Sequence, residues 1–62
     1  MGIKLKQRRK ELEMSVYDLA KKTGISPAYI SNLENGQKNN PSKDVMEKIS
    51  ISLGKTVSEL FF

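Results

Sequence analysis

Cysteine and histidine are both missing from this 62-residue chain, and each absence removes a class of chemistry. Without cysteine there can be no disulfide and no thiolate metal site. Without histidine the commonest general base and the commonest metal ligand are gone as well. No apolar run approaches the ~20 residues that a membrane span requires. The start, MGIKLKQRRK, is basic but lacks the apolar stretch of a signal peptide. The expected compartment is the cytoplasm. Nothing in the sequence calls for a metal, a cofactor or a small-molecule substrate. With no phosphate-cradling glycine loop and no acid pair in a plausible cleft either, an enzyme is the least supported class.

Length sets a further bound. Residues 1–62 accommodate a single domain, and a chain this short buries just ~60% of its unfolded surface. Every helix must therefore contribute to a thin core. The formal net charge is +4, and its distribution says more than its total. Lys4, Lys6, Arg8, Arg9 and Lys10 place their charges in the first ten residues with no acid among them. Glu11, Glu13 and Asp18 then make the next stretch net acidic, and from Lys21 onward positive charges slightly outnumber negative ones. Such a field suits a polyanionic partner, since each phosphate neutralised releases a counterion. A solubilising charged surface explains the same composition equally well.

No repeat, linker or low-complexity segment interrupts the chain, and its punctuation is regular. Gly24, Gly36 and Gly54 each follow an apolar-periodic stretch, where helices commonly end in a left-handed residue. Ser15, Ser26, Ser42 and Thr56 each precede one, as N-caps do. Ser15 with Asp18, and Thr56 with Glu59, have the spacing of capping boxes. Pro27 follows Ser26 at the first helical position, where its missing N–H costs little. These marks predict five helices, at about Gly2 to Leu12, Val16 to Thr23, Pro27 to Asn35, Lys43 to Leu53 and Val57 to Phe61. No stretch alternates with a strand period, so the predicted class is all-α.

One core accounts for the apolar positions. Leu19, Ala20 and Thr23 share a face of the second helix, and Ile30 and Leu33 share one on the third, with Ile25 in the turn. Met46, Ile49 and Leu53 form the inward stripe of the fourth, where small Ser50 allows close approach. Leu5, Leu12, Met14, Val57 and Leu60 are expected to close the ends. The second and third helices are joined by Thr23-Gly24-Ile25-Ser26. Two short helices with a glycine in a three- to four-residue turn are the signature of the DNA-binding helix-turn-helix. Gly24 must take a conformation costly for a residue with a Cβ. A purely structural αα-hairpin has the same spacing.

SVYDLAKKTGISPAYISNLENG, followed by NNPS, resembles the lambdoid phage repressor and Cro family, also called XRE-type regulators. The likeness covers nearly the whole chain, from the basic first helix through Leu-Gly to the terminal Val-x-x-Leu. It implies a lambda-repressor-like five-helix bundle that binds operator DNA as a two-fold homodimer in a bacterial or phage-encoded setting. By that resemblance the third helix is the reading helix. Pro27, Ala28, Tyr29, Ser31 and Asn32 would face the major groove or its edges. Asn35, Gln37, Lys38, Asn39, Asn40 and Lys43 would lie along the phosphates, and Arg9 would pair with Glu34. The basic residues Lys4, Lys6, Arg8 and Lys10 are further candidates for phosphate contact. Lys21 and Lys22, closing the second helix, suit the negative end of its dipole and are assigned to structure.

Departures from the family pattern are equally informative. Val16 stands where many members have a phosphate-touching glutamine, so backbone N–H groups must serve there. Glu13 stands where a glycine is usual, leaving that corner less sharp or slightly strained. Lys55 replaces a usual apolar residue before the last helix, and Pro27 replaces a residue that is often polar. The expected function is sequence-specific binding of double-stranded DNA as a transcriptional repressor or controller. The alternative is an antitoxin- or antirepressor-type protein-interaction module on the same fold. An appended partner-binding segment would mark that alternative, and the sequence ends at Phe62 without one, as a stand-alone regulator or a piece of a longer protein would. Phe61 and Phe62 exceed what a five-helix core needs and are candidates for a dimer seam, or for folding back on their own bundle.

Overall fold

Local signals in the sequence set where each helix begins. In the computed structural model, which describes residues 2–36 and 40–62, the elements are α1 (Gly2–Glu11), α2 (Val16–Thr23), α3 (Pro27–Glu34), α4 (Lys43–Leu53) and α5 (Val57–Phe61). The described residues contain no strand. Ser15, Ser26, Ser42 and Thr56 are the N-caps, each accepting a hydrogen bond from the backbone N–H three residues on. Both predicted capping boxes form: the Ser15 and Thr56 N–H groups donate to Asp18 Oδ2 and Glu59 Oε1, each at 2.9 Å. Each capped start satisfies donors that would otherwise lack a partner.

The ends of α1 and α2 both turn through a left-handed residue. Gly24 closes α2 at φ +75°, with its N–H 2.8 Å from the Ala20 carbonyl, which is the left-handed turn the helix-turn-helix requires. At the end of α1 the same conformation falls on Glu13, at φ +57°. The Glu13 N–H bonds to the Lys10 carbonyl and the Met14 N–H to the Arg9 carbonyl, the paired pattern of a Schellman cap. The corner is therefore sharp and strained, because a side chain in this region crowds its own carbonyl.

The core is made by Leu5, Leu19, Ala20, Ile30, Leu33, Ile49, Leu53, Leu60 and Phe61, all buried. Each large aliphatic in that set stabilises the fold by about 1.5–3 kcal/mol relative to exposure. Helix α2 packs on α3 and α4, α1 on α3 and α5, and α4 on α5. Ser50 lies within the core, its small side chain fitting the close approach, and its hydroxyl has no protein partner among the described residues.

Two expectations about the core are corrected. Leu12, expected to close it, is 40% exposed, because α1 ends at Glu11 and the chain reverses at Glu13 before Leu12 can turn inward. Phe61, offered for a dimer seam or for folding back on its own bundle, is 5% exposed and belongs to the core, whereas Phe62 is 77% exposed. The Lys55 substitution does not disturb the last helix: α5 docks on α1 and α4 through Leu60 and Phe61.

Candidate nucleic-acid interface

A helix can present one face only if its opposite face is held. In α3 the holding face is Ile30, Leu33 and Glu34, all buried. Ile30 and Leu33 enter the core, and Glu34 is gripped by Arg9 of α1. The Arg9 Nε donates to Glu34 Oε2 at 2.6 Å and Nη2 to Oε1 at 2.9 Å, a parallel fork between buried side chains. The remaining nitrogen, Nη1, donates to the Met14 carbonyl at 2.7 Å. The bond to Glu34 raises the Arg9 pKa above its ordinary value, burial opposes this, and attraction to the carboxylate adds to it. One guanidinium thus ties α1, the corner after it and the end of α3 into a unit.

Opposite that face, Ala28, Ser31, Asn32 and Asn35 recur at the three- and four-residue spacing of one helical stripe. Ala28 and Asn35 are exposed, and Ser31 and Asn32 are half-buried at its flanks. The stripe carries amide, hydroxyl and methyl groups and no charge. Pro27 is half-buried at the start of the helix. Tyr29 is set apart from the other predicted base readers: it is half-buried and packs against the core.

Asn35 lies on the outward stripe, and Asn40 and Lys43 are exposed just before and at the start of α4. Gln37, Lys38 and Asn39 lie outside the described residues. Lys4, Lys6 and Lys10 are exposed on α1. Arg8 is not free in the same way, and its expected role is corrected. Its Nε donates to the Leu53 carbonyl at 2.8 Å and its Nη1 pairs with Glu11 at 3.2 Å. The guanidinium is fixed at the end of α4, where a cation also suits the helix dipole. Lys21 and Lys22 are exposed at the end of α2, lining a depression with Leu12, Met14 and Asp18.

One surface residue was not foreseen. Tyr17, at the second position of α2, is 73% exposed and lines a depression together with Val16, Pro27, Ala28 and Ser31. Its phase along α2 lies outside the Leu19–Ala20 face, which was the available signal.

The helix-turn-helix family model matches residues 5–60. The chain belongs to this family, in its XRE-type branch. Among curated relatives, the HTH-type transcriptional regulator SinR of Bacillus subtilis (strain 168) is 38% identical over 60 residues, covering 97% of this chain and 54% of SinR. The chain thus spans about half the length of that relative. Control protein C.MunI of Mycoplasma sp is 46% identical over 61 residues, covering 97% of this chain and 81% of the relative. A crystal structure of SinR, the master regulator for biofilm formation, in complex with DNA superposes with a TM-score of 0.92 at 38% identity. It matches 97% of this chain and 98% of that one. The SinR protein/SinI protein complex gives a TM-score of 0.91 at 39% identity over 95% of this chain and 57% of that one. This XRE-type chain therefore has the expected all-α five-helix fold. No helix among its described residues is long and apolar enough to cross a membrane.

Proposed function

We propose that this XRE-type chain is a sequence-specific binder of double-stranded DNA that acts as a transcriptional repressor or controller. The carrying observation is the outward stripe of α3, uncharged and rich in hydrogen-bonding side chains, on a helix held from behind by the Arg9–Glu34 fork. That combination fits a helix laid in the major groove, where base edges present donors, acceptors and methyl groups. The likeness to SinR, which has been crystallised with DNA, supports the same reading.

In this reading Asn32 makes paired hydrogen bonds to adenine N6 and N7, and Ala28 lies against a thymine methyl. Ser31 and Pro27 contact the same groove, and Tyr29 reaches its edge with the hydroxyl. Asn35, Gln37, Lys38, Asn39, Asn40 and Lys43 hold the backbone and fix register. No Lys or Arg lies between Ser26 and Gly36, so the bidentate contact to guanine is missing from the reading helix. The preferred half-site is therefore rich in A·T. The protein acts as a homodimer on a two-fold operator, with Phe62 as the remaining seam candidate, in the cytoplasm where a bacterial or phage genome lies.

Selection of bound sequences from random duplexes at near-physiological salt tests this. The expected product is an A·T-rich half-site repeated with two-fold symmetry at a fixed spacing. Recovery of no enriched sequence, with binding of a protein partner instead, favours the interaction-module alternative.

A further inference from the structure

The outward surface around the α3 stripe extends onto α2. Tyr17 belongs to α2, yet it lines one depression with Pro27, Ala28 and Ser31 of α3, and with Val16 beside it. The ring is 73% exposed, and α2 already has its core residues in Leu19 and Ala20, so burial does not explain it. The side chains of this depression are a phenol, an isopropyl group, a pyrrolidine ring, a methyl group and one hydroxymethyl. None is charged, and none is an amide able to read a base edge through paired hydrogen bonds. A surface of that chemistry, continuous with the proposed reading stripe through Ala28 and Ser31, suits the one apolar group on a base edge in the major groove, the thymine C5 methyl.

We propose that Tyr17 forms the α2 wall of an apolar slot that reads a thymine methyl group, making it a specificity determinant outside the reading helix. The proposal rests on the DNA-binding reading above and adds to it a residue and a helix. The ring supplies rigid contact area, with few rotatable bonds to order on binding. The hydroxyl is not required for this role. A tyrosine that held a phosphate through its hydroxyl would depend on it. Exposure at the second position of α2 means that truncation leaves the core untouched.

The experiment uses the intact chain and the duplex recovered by selection, with each thymine of one half-site replaced in turn by deoxyuridine. This change removes a methyl and leaves all hydrogen-bonding groups in place. For the parent, one position is expected to lose about fourfold in affinity, the equivalent of about 0.8 kcal/mol for one buried carbon. Tyr17→Phe should keep that sensitivity. Tyr17→Ala should bind the thymine and deoxyuridine duplexes equally at that position, with unchanged circular dichroism and thermal midpoint. Equal methyl sensitivity in Tyr17→Ala and the parent would overturn the proposal while leaving DNA binding in place. Loss of affinity in Tyr17→Phe, with methyl sensitivity that persists in Tyr17→Ala, would replace it with a phosphate contact through the hydroxyl. A parent that enriches no duplex would remove the DNA-binding reading and this inference together.

Discussion

Arg9 and Glu34, twenty-five residues apart, meet in a buried two-bond fork at 2.6 and 2.9 Å. The pair joins the first helix to the end of α3, and with it the outward stripe of α3 acquires a fixed angle to the bundle. Burial makes the arrangement sensitive to loss of either partner, since the survivor is left as an uncompensated charge. Arg9→Met and Glu34→Gln should each lower stability by about 3–5 kcal/mol in urea melts. The total stability of 62 residues is about 3–9 kcal/mol at ~0.05–0.15 kcal/mol per residue, so either variant approaches unfolding. The double variant should lose less than the sum. Losses below about 1 kcal/mol in both single variants are what an exposed pair gives, and would contradict the buried fork.

Glu13 holds the left-handed position after α1 at φ +57°. Glycine adopts that conformation without the Cβ penalty, although its freer unfolded chain offsets part of the gain. Glu13→Gly should therefore stabilise the domain by up to about 1 kcal/mol, a rise of roughly 4–8 °C in Tm for a chain of this size. Glu13→Ala keeps the Cβ and should give no such rise. Equal melting of the two variants would mean that the corner stores no strain.

Asp18 and Glu59 are held below their ordinary carboxylate pKa values, chiefly by the backbone N–H groups of Ser15 and Thr56 and then by the cap hydroxyls. A carboxylate whose folded pKa is depressed contributes stability that is complete above its unfolded value. For these groups that means above about pH 4, with the contribution fading as pH falls through the lower folded values. Melts from about pH 6 downward should show Asp18→Asn combined with Glu59→Gln losing less stability in acid than the parent. Identical acid profiles would show that the boxes carry no titrating contribution.

How much of this was legible in the sequence follows from the range of each interaction. Ser15, Ser26, Ser42 and Thr56 cap through bonds that span three residues, so their spacing alone located four helix starts. Helical phase likewise separated Ile30 and Leu33 from Ala28 and Asn32. Phase does not say where a helix stops, however, and Leu12 was placed inward one residue beyond the end of α1. Arg8 looked like another solvated cation of the basic run. Its partner, the Leu53 carbonyl, lies 45 residues away and leaves no local mark. The Arg9–Glu34 pair was anticipated through family resemblance, because nothing in the spacing of those two residues reveals it. Tyr17 likewise carries no local mark, because its neighbours in the depression, Pro27, Ala28 and Ser31, come from another helix.

Orientation on the duplex can be tested by salt. Lys43 is assigned to the phosphates, and Lys21, at the end of α2, to its helix dipole; both are exposed. Lys43→Ala should reduce the slope of log affinity against log salt by about one, and Lys21→Ala should leave it nearly unchanged. A larger change for Lys21→Ala would require the bundle to sit differently on DNA.

The role of α3 is decided by the binding of the parent and Asn32→Ala to the selected duplex, and to a set with each base pair of a half-site changed in turn. Asn32→Ala should lose about 1–3 kcal/mol on the preferred site and tolerate any base at one A·T pair. Weak binding to unrelated duplexes should be nearly unchanged, since it comes from phosphate contacts. An Asn32→Ala variant that kept the parent's full affinity and base preference would contradict the assignment of α3 as the reading helix.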